Sequence, residues 1–359
     1  NVNKGSSLAN KNFIQNGSFQ VWQKATAATA QTDGGYKTAD RWFGWVSGGG
    51  AYTTERSTGN LADTGHENAL KVAVTTADTS IASGDYYAIT HRIEAQNLQS
   101  LQYGSANAKP VTLSFWVKAT KTGINTLSLT KDDSTAIRMV KEFTINSSNT
   151  WEYKTMTFIP DSSIKTAASA IVNDTGRGFQ VNWVLSYGSN FNGTADAWTT
   201  SGHYTTSNGV NNMDSTSNTF YLTGVQLEIG EKATEFEHEP FETTLAKCQR
   251  YFCRTYPYGT ATGAADTAGS ISTSISEAQT YASAGNFNYP VPMRAAPTVT
   301  AYSTHNADTT GKVTADSTDG TGQATFIGAS RCFMIRNNDS SGTGANVFMR
   351  SHATASAEL

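Results

Sequence analysis

The sequence predicts an all-β protein, on three observations. Charged residues make up only 15% of the 359 residues, against about a quarter in an ordinary soluble domain. Periodic stretches of Ala, Leu, Glu, Lys and Arg, which long helices need, are scarce. In their place, β-branched and aromatic residues alternate with Ser and Thr, as pleated surfaces require.

The elements follow in order. Residues 1–12 are polar and read as an extended N-terminal segment. "NFIQNGSFQVWQ" is expected to form the first strand, with Phe13, Phe19, Val21 and Trp22 around the turn pair Asn16-Gly17. "TADRWFGWV" is an aromatic cluster in which Asp40 adjoins Arg41; a buried or half-buried ion pair bracing the rings is expected there. "ALKVAVTT" and "YYAITHRIEA" alternate apolar and polar residues, and His91, in step with Ile89 and Ile93, reads as a core imidazole. "VTLSFWVKA" is the clearest strand: Val111, Leu113, Phe115 and Val117 share one face, leaving Trp116 on the other. "TLSLT", "WEYKTMTFIP", "FQVNWVLSYGS" and "TFYLTGVQLEIG" bring the expected total to about eight strands, separated by turn-rich segments without helices. Such spacing predicts a two-sheet sandwich over residues 13–240 rather than a βαβ fold.

After Gly230 the chain turns acidic, and 241–254 reads as a short helical linker, capped by Thr243 or Thr244, with Leu245, Cys248 and Phe252 at helical spacing. From 255 to 359 Gly, Ala, Ser and Thr dominate. A second, smaller β-domain is expected there, with strands at "SISTSIS", "GNFNYPVPM", "PTVTAYS", "QATFIGAS", "CFMIRN" and "NVFMRSH".

Composition also bears on function. A net charge of −3 with mixed signs gives no basic stripe for nucleic acid. No apolar run approaches the roughly 18 residues that span a bilayer, and no signal-peptide pattern opens the chain. The chain starts at Asn1 rather than Met, which reads as a processed or truncated start. Three cysteines, Cys248, Cys253 and Cys332, are too few and odd in number for a disulfide framework, so reduced structural thiols are expected. The six histidines show no metal-ligand spacing, and neither a phosphate loop nor a G-x-S-x-G elbow occurs. Glu228, Glu231, Glu235, Glu237, Glu239 and Glu242 crowd one run, whereas a glycosidase sets two carboxylates across a sugar. They read as a solvated linker or polar contact. No metal, cofactor or catalytic residue is assigned, and the chain is expected not to be an enzyme.

Several of these stretches, "NFIQNGSFQVWQ" with "TADRW", "HRIEAQNLQSL" before "VTLSFWVKATKTG", "TWEYKTMTF", "FQVNWVLSYGSNFNG", "LTGVQLEIGEKATEFEHEPFETTLAKCQRYF", "VPMRAAPTVT" and the terminal "ASAEL", resemble in the same order a family of phage virion proteins, described in marine phages as tail-fibre or carbohydrate-binding-module proteins. The resemblance implies a galactose-binding-like jelly-roll β-sandwich followed by a smaller C-terminal β-sandwich domain. It further implies a homotrimeric virion appendage that contacts other virion proteins and host surface polysaccharide, with no membrane insertion. Related jelly rolls often hold a structural calcium between the first strand's turn and an Asp of the last strand; here the last-strand position is Thr223, which argues against the ion. A capsid or tail scaffold element without a ligand, and a polysaccharide-degrading enzyme, are the alternatives.

Sugar binding has its own chemical requirement: flat rings for the C–H face and fixed polar partners for the hydroxyls. Trp116, opposite the core face of its strand, and Tyr187, Trp198 and Tyr204 are the candidate carbohydrate-binding residues. The last three, with Phe191, fall in or beside a polar segment of about 30 residues, long for a plain connection.

Overall fold

In the computed structural model the described residues are 10–59, 61–276, 283–316, 318–327, 332–337 and 347–359. Residues 1–9 of the predicted N-terminal segment and the end of "QATFIGAS" lie outside them. The chain divides into two compact units, one of Asn1–Trp22, Thr26–Phe241 and Leu359, the other of Gln23–Ala25 and Glu242–Glu358.

The first unit is a sandwich of two six-stranded sheets. Sheet 1 contains β1 (Ala27–Gln31), β3 (Ala51–Ser57), β4 (Ala69–Thr76), β6 (Val111–Ala119), β9 (Glu152–Phe158) and β12 (Thr219–Ile229), in the order β1-β3-β4-β12-β6-β9. Sheet 2 contains β2 (Trp42–Ser47), β5 (Tyr86–Glu94), β7 (Gly123–Lys131), β8 (Ile137–Ile145), β10 (Arg177–Tyr187) and β11 (Trp198–Thr199), in the order β11-β8-β7-β10-β5-β2. The core lies between their inner faces. Val111, Leu113, Phe115 and Val117 of β6 face Phe179, Val181 and Trp183 of β10, all fully buried. Phe115 meets Trp183 edge-on at 5.7 Å, and Trp183 reaches Trp42 at 5.5 Å, arrangements that aromatic quadrupoles favour. His91 is in this core as expected, its Nε2 3.1 Å from the carbonyl oxygen of Gln15. Burial and the charge of Arg41 hold its pKa well below the ordinary imidazole value.

The all-β, jelly-roll expectation holds, with local differences. "NFIQNGSFQVWQ" is not a strand. Asn16 and Phe19 adopt positive φ, 56° and 54°, and the Asn16 amide ties the segment into a compact turn, donating to the carbonyls of Val21 and Asp40 and accepting from Val21 N–H. Gly17 sits so close to the β12 backbone that a Cβ would lie 2.1 Å from the carbonyl oxygen of Val225, so no larger residue fits there. Arg41 is fully buried; its guanidinium donates to the Gln15 side chain at 2.9 Å and to the carbonyl of Arg92 at 2.7 Å. β1, β3, β8 and the two-residue β11 are strands that the sequence reading did not assign, and "TADRWFGWV", read only as an aromatic cluster, contains the start of β2.

The second unit opens with α1 (Phe241–Gln249), which begins before Thr243 and Thr244, so these threonines lie inside the helix rather than capping it. Phe252, expected on the helix, starts a strand, β13 (Phe252–Arg254). Then follow β14 (Ile271–Ile275), β15 (Ser283–Asn288), β16 (Thr298–Tyr302), β17 (Lys312–Ala315), β18 (Thr318–Ile327), β19 (Cys332–Asn337) and β20 (Val347–Ser356). β20 organises the unit. Its first half pairs with β14 and β17, its second half with β13 and β16. The unit's core mixes the small Ala301, Ala353 and Ala355 with Val313, Ile335, Met349 and the Phe333 and Tyr289 rings. Cys253 is a buried thiol, and that burial pushes its pKa up to about 12.

Candidate functional site

The outer face of sheet 2 carries the candidate site. Register places its side chains in transverse rows. Arg138 of β8, Thr130 of β7, Gln180 of β10 and Arg92 of β5 stand side by side in one row. Val140, Ser128, Asn182, Thr90 and Phe43 make the next. This face is polar yet almost wholly buried, each of Thr90, Ser128, Thr130 and Asn182 being at most 1% exposed. Burying such groups is costly unless each is hydrogen-bonded, and most are. Asn182 Oδ1 accepts from Thr90 Oγ1 at 2.7 Å and from Gln180 Nε2 at 2.9 Å, while Asn182 Nδ2 donates to Ser128 Oγ at 3.0 Å. Arg92 Nε donates to Gln180 Oε1 at 3.2 Å. Two atoms of the first row, Thr130 Oγ1 and Arg138 Nε, have no hydrogen-bond partner among the described residues.

At the end of β10 the polar rows give way to rings. A bulge between Val184 and Ser186 shifts the β10–β5 register, and one inserted residue reverses which face later side chains occupy. Tyr187 therefore stands opposite Tyr86 on the outer face instead of in the core. The following segment folds back, its backbone tied by Tyr204 N–H to Phe191 O at 2.9 Å, and lays Phe191 and Tyr204 beside them. These four, with Trp45 of β2 and Gln180, enclose a cavity of about 220 Å³. The rings meet edge to face, Tyr187–Phe191 at 5.2 Å and Tyr187–Tyr204 at 5.8 Å. Burial, with Tyr204 and Tyr86 alongside, raises the Tyr187 hydroxyl's pKa far above its ordinary value, so it stays a donor. Cations frame the cavity: Arg138 lies 4.7 Å over the Tyr204 ring, and Arg92 lies over Phe43 and Trp45 at 4.5 and 5.4 Å. Arg92 also donates to the main-chain oxygen of Leu359, and Arg138 to that of Ser201. Asp132 is the acidic group nearby. Burial raises its pKa against the lowering pull of Arg177, Arg138 and Arg92.

The four predicted contact residues thus separate. Tyr187 and Tyr204 come together in this cavity. Trp116 lies on the outer face of sheet 1, 5.3 Å from Tyr153. Trp198 requires correction: it is 8% exposed, packs against Phe158, and its indole N–H donates to Ile159 O at 2.7 Å. It pins the long segment to the sandwich and presents no ring to a ligand. Trp45, Tyr86, Gln180, Arg92 and Arg138 were missed; for Tyr86, Arg92 and Gln180 the signal was the polar half of the alternation in "YYAITHRIEA" and "FQVNWV", where only the apolar half was read, whereas Arg138 lies on β8, which was not assigned, and Trp45 in a stretch read only as an aromatic cluster.

The acidic run braces its own loop. Glu228 is buried and accepts from Thr234 N–H at 2.8 Å, Thr234 Oγ1 at 2.7 Å and Gln226 Nε2 at 2.8 Å. Glu237 accepts from the backbone N–H groups of Asn10 and Asn12. Thr223, where related jelly rolls would place a calcium ligand, donates to Asn68 O at 2.6 Å. Among the described residues no three His, Cys, Asp or Glu side chains converge as metal ligands.

No protein-family model matches the chain, and no curated protein matches it. Solved structures do. One is a Bacteroides thetaiotaomicron protein provisionally described as sugar-binding (12% identity, 61% of this chain and 100% of that one, TM-score 0.35). A second is the enzymatically active domain of bacteriophage CBA120 tailspike protein 4 (12%, 61% of this chain and 22% of that one, 0.33). A third is the family 11 carbohydrate-binding module from Clostridium thermocellum in complex with a β-1,3-1,4-mixed-linked tetrasaccharide (13%, 60% and 100%, 0.30).

Proposed function

We propose that the chain is a non-enzymatic, glycan-binding protein of a phage particle, a tail fibre or similar surface appendage, that holds host surface polysaccharide against the outer face of sheet 2. One observation carries the binding half of this reading: a cavity of about 220 Å³ is walled by Trp45, Tyr86, Tyr187, Phe191 and Tyr204 and has the amide of Gln180, held by Asn182 and Arg92, in its lining. A sugar unit supplies both halves of what that surface needs. Its C–H face covers the Tyr187, Tyr204 and Trp45 rings, and its hydroxyls reach the Gln180 amide and the tyrosine hydroxyls of the lining. Such sites bury most of a small ligand between apolar walls and a few placed polar groups. None of the cavity-lining residues is a carboxylate, whereas hydrolysis of a glycosidic bond usually takes two; this supports binding without turnover.

The virion half of the reading rests on the ordered motifs from "NFIQNGSFQVWQ" to "ASAEL". A homotrimer on the particle would multiply weak sugar contacts by copy number. The test is a glycan array of bacterial capsular and lipopolysaccharide glycans probed with the full chain and with Tyr204→Ala and Tyr187→Ala. The expected result is binding to a small set of glycans, lost at least tenfold in each variant, with no new reducing ends on prolonged incubation. Silence across the array, with labelled protein lying at an internal contact of the particle in electron micrographs, would replace this reading with that of a scaffold element.

A further inference from the structure

Another groove of the first unit lies on the other sheet, and the reading above makes no use of it. It holds about 770 Å³. Its floor is the outer face of β6 and β9, where register sets Thr112 opposite Thr157, Ser114 opposite Thr155 and Trp116 opposite Tyr153. Its wall is the segment 231–238, with His66 closing one end. That wall is built to hold its shape. Glu228 clamps Thr234, and Gln226 Oε1 accepts from Glu237 N–H at 2.8 Å. Phe236 stands edge-on to His66 at 4.6 Å and to His238 at 5.0 Å. Gly224, at φ 57°, leaves room where a Cβ would meet His66 Nε2 at 2.3 Å.

The chemistry of this surface selects its occupant. The rings gather at one end, where Trp116 and His66 both flank Gly224 and Tyr153 and Phe236 stand beside them, and the hydroxyls of Thr155, Thr157 and Thr112 line the floor away from them. Tyr153 is 44% exposed, a large ring turned to solvent at a concave site. Beyond Trp116 the same sheet face continues as a ring band, Trp151 and Tyr221 lying 6.1 Å apart with the Lys118 ammonium over both. The charged rim, Glu231, Lys232 and Glu235, is net negative, which disfavours a polyanion. A bound peptide would leave its main-chain amides over sheet face and rings instead of against a strand edge, where β-addition satisfies them. A saccharide has no such debt: C–H faces meet the rings and hydroxyls meet the threonines.

We infer that this groove is a second saccharide site, for a neutral oligosaccharide of several units, so that one chain grips glycan on both outer faces of its sandwich. The site stands independently of the sheet 2 reading. The test is isothermal titration of the full chain with gluco-, galacto-, manno- and xylo-hexaoses, alongside Trp116→Ala, Tyr153→Ala and Tyr204→Ala. Tyr153 is exposed, so its truncation leaves folding intact. At least one hexaose is expected to bind, with affinity falling about tenfold or more in both Trp116→Ala and Tyr153→Ala, as for truncated aromatic anchors, and unchanged in Tyr204→Ala. A ligand serving both faces gives two sites per chain. No binding by any hexaose, or binding that neither groove variant weakens, overturns the inference. Loss in Tyr204→Ala alone would leave only the sheet 2 reading standing, and loss in the groove variants alone would leave only this one.

Discussion

Replacing Asn182 by Ala tests whether the polar row of sheet 2 is a built network or an accident of packing. The side chain is 0% exposed and sits at the hub, accepting from Thr90 and Gln180 and donating to Ser128. Three hydrogen bonds at about 1 kcal/mol each would be lost, and no bulk water can replace them at that depth, so a loss of about 2–4 kcal/mol is expected. For a unit of this size that corresponds to a fall in Tm of very roughly 5–12 °C. The assay is urea unfolding followed by tryptophan fluorescence, Trp183 lying in the adjacent core. A double-mutant cycle with Thr90→Val should return a coupling of about 0.5–1.5 kcal/mol, because the two residues share one bond. Gln180, no longer anchored by Asn182, should also bind glycan less well, although Asn182 does not line the cavity. A stability change below about 1 kcal/mol, or strict additivity in the cycle, would refute the network.

Two further outcomes are expected. Burial, with His238 adjacent, lowers the His66 pKa from 6.5 to about 4; the unfolded chain therefore takes up the proton first, and stability should fall as pH drops from about 6.5 towards 4 and level off below. Because the ring borders an open groove, the loss is expected to be about 2 kcal/mol rather than the full linkage value, and His66→Gln, compared by urea titrations at pH 7.5 and 4.5, should remove that part of the slope. Trp198→Phe, which keeps the ring packing and removes the 2.7 Å bond to Ile159 O, should cost about 1–2 kcal/mol in the same assay and leave glycan binding intact; a binding defect without a stability loss would restore Trp198 to the site.

Strands with a strict two-residue alternation were legible, β4 and β6 above all, because one face is core and the other is not. β3 and β8 were not: "AYTTERS" and "IRMVKEFTI" mix charge into both faces, and their burial is decided by neighbours far along the chain. "NFIQNGSFQVWQ" has the apolar density of a strand, but its Asn16 hydrogen bonds and two left-handed residues make a turn. At the site, the unusual length of the segment after β10 pointed to Tyr187 and Tyr204. The cavity they line depends on the bulge before Ser186, a one-residue register change with no mark in the local sequence. Trp198 was misjudged because its polar flanks suggest exposure, whereas its indole closes against β9.

Phe13 N–H donates to Leu227 O at 2.9 Å, and the Asn16-Gly17 turn is docked on β12 through Val225 N–H to Gly17 O at 3.0 Å. Entry and exit of the sandwich are therefore neighbours, although more than two hundred residues separate them. On the ribosome this body cannot close until its last strand has emerged, so its folding should be slow and late.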